Sequence, residues 1–194
     1  MAPTEIIAVG SLDSLYAVWS APTRTLHQIM REHPAPPMDE IAGWEYDGAN
    51  TGIGPVLIRS RKFRKGFYRG ASRATSDLEP FIQGYNINVR QNGIDRPHEA
   101  KPSDEAPKRF GFYRVYSADQ HPRHRRYPQA LLLDYSLGGN GLSLPSLLRD
   151  YLVQVQPGSS DLLLGHAFLQ LGPVTLPASF FVLSRARKHE FVGG

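Results

Sequence analysis

The sequence predicts a mostly β protein: an antiparallel up-and-down β-barrel behind an N-terminal helical segment. Three observations carry that expectation. Glycine (18) and proline (16) are too abundant for a helical bundle and suit a chain of strands and turns. From about residue 41 onward, short runs alternate apolar and polar side chains. The last of these runs are joined by short, turn-like connections, and a meander of about eight such strands removes its unpaired edges by closing on itself. A chain of 194 residues is expected to form one domain, with residues 1–38 as helical leader and proline-rich connector and residues 39–194 as the barrel.

The leader comes first. In residues 11–32, "SLDSLYAVWSAPTRTLHQIMRE", Ser11 is placed to cap a helix whose buried stripe is Leu12, Leu15, Tyr16 and Trp19. Pro22 divides the segment, and a second helix capped by Thr23 carries Leu26, Ile29 and Met30. "HPAPPMD" then makes a stiff connector.

Among the strands, "FIQGYNINVRQNG" alternates Ile87 and Val89 with asparagines and ends in the turn pair Asn92-Gly93. "RFGFYRVYSA" puts Phe110, Phe112, Arg114 and Tyr116 on one face, with Tyr113 and Val115 on the other. "QALLLDYSL" stops at "GGNG", "LLRDYLVQVQPGSSD" ends in a Pro-Gly turn, and "LLLGHAFLQLG" and "PASFFVLSRAR" complete the set. Two echoes, "GFYR" at 66–69 and 111–114 and "LLLDY" against "LLRDY", are too short to be structural repeats.

The segment "MDEIAGWEYDGAN" has a capping Asp39, a turn over Glu40 to Ala42, and Trp44 opening the sheet. A short helix leading into a Gly-Trp strand resembles the start of the calycin group, the lipocalin-like barrels, although here Gly43 directly precedes Trp44. The resemblance implies a barrel with Trp44 covering one end, a basic residue of the last strand (Arg185 or Arg187) stacked on it, and an apolar ligand held in the interior.

Composition narrows the function. With no cysteine there is no disulfide, thiol chemistry or thiolate metal ligand. The acidic residues early in "MAPTEIIAVGSLDSLYAVW" do not fit a secretory leader, and no apolar run approaches the roughly 20 residues of a membrane span. A soluble, cytoplasmic protein is expected, and a homodimer is compatible with a barrel meander. Net charge is +4, concentrated in "RSRKFRKGFYRGASR", where Arg59, Arg61, Lys62, Arg64, Lys65, Arg69 and Arg73 stand with no acid among them. Phe63, Phe67 and Tyr68 would add stacking for a nucleic acid, but the charges fall on both parities and make no clean basic stripe. His121 and His124 in "HPRH" look metal-like, yet the arginines around them would repel a cation, so no metal site is expected.

Three functional readings follow. The leading one is a protein that binds a small apolar or amphipathic molecule inside the barrel, without a cofactor. Alternation nominates Trp44, Tyr85, Phe112, Arg114, Tyr116, Tyr151 and Phe168 as lining, with Arg114 as the anchor for a bound acid. The second is a cofactor-free cyclase, isomerase or lyase in the same cavity. It needs an inward titratable group, and His166, alone in the apolar "LLLGHAFLQLG", or Asp134 is the natural choice; Asp150, like Asp134, precedes a tyrosine in a strand. The third is a nucleic-acid or anionic-surface binder using residues 59–73. The lining rests on register, because a slip of one residue turns every side chain to the opposite face.

Overall fold

The computed structural model describes residues 12–52, 61–70, 82–121, 126–141 and 143–193. Strands β1 (Trp44–Asn50), β2 (Lys62–Arg69), β3 (Ile82–Asn88), β4 (Arg109–Ser117), β5 (Leu131–Asp134), β6 (Leu148–Gln154), β7 (Leu162–Leu171) and β8 (Val174–Lys188) form a closed barrel in which every pairing is antiparallel. Chain order and spatial order coincide, and β8 returns to β1.

Among the described residues three helices precede it: α1 (Leu15–Trp19), α2 (Thr23–Glu32) and α3 (Met38–Ile41). Pro22 does separate the first two, since it lacks the N–H that a continuous helix requires. Ser11 lies outside the described residues; the cap of α1 is Ser14, whose hydroxyl accepts the Ala17 N–H. Pro22 and Pro37, not Thr23 and Asp39, occupy the cap positions of α2 and α3. In α1 the buried places fall to Val18 and the preceding Leu12, while Tyr16 is exposed; Leu26, Ile29 and Met30 of α2 are buried as the periodicity predicts.

Two apolar surfaces result, one on each side of the sheet. Inside, Tyr46, Phe67, Tyr113, Leu133, Leu152, Leu163 and Leu183 fill the end nearest α3. Outside, α1 and α2 lie over β5 to β8 and bury Tyr151, Val153, Leu162, Leu164, Phe168, Phe180 and Val182. Polar contacts fix the docking: Trp19 Nε1 donates to the Asn50 carbonyl, the Gln154 N–H to the Pro34 carbonyl, and Gln129 Nε2 to the Met30 carbonyl. Among the described residues no helix is long and apolar enough to cross a membrane.

Glycine placement shapes the interior. Gly48, Gly84 and Gly165 face Phe63, Tyr113 and Phe181 directly across the ladder. Each aromatic ring lies over its glycine so closely that an added Cβ would stand 2.5, 2.2 and 2.0 Å from it. The rings thus lie along the sheet instead of standing across the barrel.

The basic run of β2 is absorbed by the protein. Lys62 Nζ donates to Asn92 Oδ1 and to the carbonyls of Gly93, Arg96 and Pro97, which ties down the long β3–β4 connection. Asn92-Gly93 therefore belongs to that loop and not to a tight hairpin. Arg64 pairs with Asp47 and Asp104, both at 2.7 Å. Arg61 stands over the Trp19 ring and Arg69 pairs with Asp39; Arg59 and Arg73 lie outside the described residues. Lys62 and Arg64 are thus buried and engaged within the protein, whereas Arg61 and Arg69 stay at the surface.

Gly165→Ala drives a methyl into the Phe181 ring, and overpacking of this kind costs about 1–3 kcal/mol. Urea unfolding of the variant should show a midpoint lowered accordingly, whereas Gly139→Ala, where an added Cβ meets nothing within 4 Å, pays only for its positive φ.

Candidate functional site

The barrel is filled at one end and hollow at the other. At the Asn50 end of β1 a cavity of about 310 Å³ opens between Phe63, Phe110, Leu148, Leu169 and Phe181, with Leu144 and Pro145 at its mouth. Its size is at the small end of the roughly 300–1,000 Å³ of ligand pockets. Apart from Asn50 and Ser179 near the rim, its polar lining is one group: Lys65, Asn86, Tyr135 and Asp150.

These four side chains come from β2, β3, the turn after β5, and β6. Lys65 Nζ donates to Asn86 Oδ1 at 3.0 Å, to Asp150 Oδ2 at 3.1 Å and to the Tyr135 hydroxyl. The Tyr135 hydroxyl donates to Asp150 Oδ2 at 3.0 Å, and Asn86 Nδ2 donates to the Gly111 carbonyl at 2.9 Å. The rings of Phe63, Tyr113, Tyr135 and Phe181 surround the ammonium, with centroids 4.9–5.5 Å from Nζ. Lys65 and Asp150 are 2% and 3% exposed, so an ion pair sits within the barrel. Burial pushes the lysine below its ordinary pKa against the pull of Asp150, and burial together with the Asp150 charge raises Tyr135 well above the usual phenol value. One atom stands apart: Asp150 Oδ1 is buried and accepts no hydrogen bond from the protein.

Local irregularities build the site. Ladder pairing shifts between Gly84 and Asn86, where Gly111 takes a φ of +54° and β4 bulges. The bulge turns Phe110 into the cavity while Phe112 points out. In the "GGNG" loop, Asn140 clasps this irregular strand: its Nδ2 donates to the Phe112 and Tyr135 carbonyls and its Oδ1 accepts the Phe112 N–H. The same clasp holds Tyr135 over Lys65.

The residues nominated from alternation lie elsewhere. Tyr85, Phe112, Arg114, Tyr116, Asp134, Tyr151, His166 and Phe168 all project from the outer face, so the expectation that they line the interior is corrected. The physical reason is that helices bury the outer face of β5 to β8 and the bulge of β4 breaks its parity, so the greasier side of these strands is not the inside. Tyr85 donates to Glu45 Oε1 under a patch of Tyr68, Phe112 and Phe191. Arg114 stands beside Asp134 in the β4–β5 ladder, away from any bound acid in the cavity. Asp134 receives Ser136 and pairs with Arg149. Tyr116 packs on His121, and Tyr151 meets Phe168 edge to face. Trp44 is at the barrel end remote from the cavity, where Arg185 stacks on its ring at 4.7 Å and Lys188 stands at 5.4 Å; Arg187 turns instead to Glu45.

His166 belongs to the seam between the helices and the barrel. Its ring stacks on Phe180, meets His27 edge to face, and shares a 3.0 Å hydrogen bond between Nδ1 and the Tyr127 hydroxyl. It borders an outer hollow of about 450 Å³ with Trp19, Leu26 and His27. Burial, with His27 and Arg126 nearby, lowers its pKa to about 3. Among the described residues no three His, Asp or Glu side chains gather as a metal site would require; His124 lies outside them.

The floor residues had a signal in the sequence that alternation toward aromatic faces concealed. Lys65 is flanked two residues away by Phe63 and Phe67, and Asp150 by Leu148 and Leu152. Opposite charges on two apolar parities point to a buried pair. Tyr135 and Asn86 carry no such mark. No protein-family model, curated protein or solved structure matches the chain.

Lys65→Met alone strands Asp150 and should lower stability by about 3–5 kcal/mol, while Lys65→Met/Asp150→Leu, which removes both charges, should return it to near the wild-type value or above. Urea unfolding of both variants checks this. His166 provides a pH test. Its folded pKa, about 3, is below its unfolded value near 6.5, so its neutral form is at full stability above pH 6.5. As pH falls from there toward 3, the unfolded chain binds the extra proton and stability drops by up to about 1.4 kcal/mol per pH unit. His166→Phe should flatten the acid limb of the stability profile by that one-proton slope.

Proposed function

We propose that the protein binds a small, largely apolar molecule in the half-open barrel, its body against Phe63, Phe110 and Phe181 and its polar group at the Lys65–Asp150 floor. The observation that carries this reading is the buried, unpartnered Asp150 Oδ1 at the base of an apolar-walled hollow. A buried polar atom without a partner costs roughly 1–3 kcal/mol, more when charged, and a bound guest that supplies the hydrogen bond offsets that cost. The closed eight-stranded barrel and the Arg185-capped Trp44 support kinship with the calycin barrels and their habit of carrying apolar guests. In this reading the helical leader and the barrel act as one unit, the leader covering the outer sheet so that the interior need not be filled.

A second reading is favoured by the same carboxylate. With Oδ2 held by Lys65 and Tyr135, Oδ1 is the carboxylate oxygen left without a protein partner and the one to take a proton from a guest, as a cofactor-free isomerase or lyase requires. Asp150, not His166 or Asp134, is then the base.

Ala167 lines the cavity next to Asp150 in the ladder, so Ala167→Trp fills the hollow from within. Native mass spectrometry of protein purified from its own source should show a small bound molecule, and the tryptophan variant should lose it while keeping a cooperative thermal transition. Retention of the guest in that variant rejects the cavity. With the guest in hand, Asp150→Asn separates the readings: a carrier binds it more weakly, whereas an enzyme binds it and no longer turns it over.

A further inference from the structure

We propose that the cavity selects neutral molecules bearing a hydroxyl group, held by donation to Asp150 Oδ1, and discriminates against the matching carboxylates. The inference rests on the cavity being a ligand site and adds the chemical class of the guest.

Donors and acceptors on the cavity floor can be counted. Lys65 has three N–H groups, and Asn86 Oδ1, the Tyr135 hydroxyl and Asp150 Oδ2 take them. The Tyr135 hydrogen goes to Asp150 Oδ2, and Asn86 Nδ2 serves the Gly111 carbonyl and, at 3.3 Å, the Tyr135 oxygen. Among the described residues the lining's one cation is therefore saturated, and the atom of the group left without a protein partner is an acceptor, Oδ1 of Asp150. A guest hydroxyl meets it with a charge-assisted hydrogen bond. A guest carboxylate brings a second negative charge against Oδ1 and finds no donor on the floor. A guest ammonium would satisfy Oδ1 but loses its hydration among apolar walls, beside a lysine whose charge repels it.

Four probes with one apolar body test this: 2-naphthol, 2-methoxynaphthalene, 2-naphthoate and 2-naphthylmethylammonium, titrated calorimetrically at pH 7 into the wild type. The expected order has naphthol about tenfold or more tighter than its methyl ether, and naphthoate weaker than the ether. In Lys65→Met/Asp150→Leu the naphthol and the ether should bind within about twofold, because the acceptor is gone. Asp150→Asn is the second variant should that pair not fold; with an N–H in place of Oδ1, the advantage of naphthol over the ether should also disappear. Naphthoate or the ammonium binding as well as naphthol, the ether matching naphthol in the wild type, or a naphthol preference surviving in the folded variants overturns the hydroxyl selection alone. Failure of all four probes to bind overturns it together with the cavity reading.

Discussion

A lysine and an aspartate share a hydrogen-bonded pair inside a cylinder of aromatic and aliphatic side chains, and the rest of the structure is arranged so that this pair can exist. Burying either charge alone is prohibitive, so Lys65, Asp150, Asn86 and Tyr135 must all arrive together. They come from both sides of the barrel: β2 and β3 on one, the β5 turn and β6 on the other. A slip of one residue in β2 would turn Lys65 to the outer face and leave Asp150 stranded. The pair therefore couples the registers of strands that are not neighbours, a constraint that apolar packing alone, being non-directional, does not supply.

Hollow interiors cost contact, and the molecule recovers it outside. Most small barrels of eight strands fill their axis with side chains. Here the rings of Phe63, Tyr113 and Phe181 lie over Gly48, Gly84 and Gly165, and Phe63 and Phe181 so placed form walls of the cavity. The apolar burial not obtained inside is obtained under α1 and α2, where Phe168, Phe180 and Tyr151 pack on Leu26, Ile29 and Met30. The two halves of the structure depend on each other: without the helices, the outer face of β5 to β8 would be an exposed apolar sheet.

This same arrangement explains what could and could not be read from the residues. The helix break at Pro22 is local, barrel closure follows from turn chemistry and the order of the strands, and the Arg185 stack on Trp44 is what the resemblance to calycin barrels implies. Which face is inside is not local. In β7, Leu162, Leu164 and Phe168 are as apolar as an interior requires, yet a helix distant in sequence covers them, while the true interior is built of Leu163, Gly165 and Ala167. In β4 a single bulge sends Phe110 inward and Phe112 outward, so strict alternation misplaces one of them. His166 caught attention as a polar group on an apolar parity, which it is, but the parity faces a helix. Lys65 and Asp150 obeyed the same rule on the opposite face.

The charges of the outer wall provide an internal comparison for the inner pair. Glu45 is as deeply buried as Asp150, but both of its oxygens are engaged: Oε1 by the Tyr85 hydroxyl at 2.8 Å and Oε2 by Arg187 at 2.7 Å, with Arg64 and Arg109 close by. That arrangement is what a buried carboxylate needs when its role is to hold strands and loops together. Asp150 has the same need and meets it at one oxygen only, the other being buried without a protein partner. A purely structural ion pair at this position would gain from a donor on Oδ1, and Ala167, its ladder partner on β7, offers a place from which a serine could reach toward it. The strand carries a methyl there instead. The incomplete satisfaction of Asp150, beside a fully satisfied Glu45 in the same barrel, is the contrast on which the proposed guest contact rests.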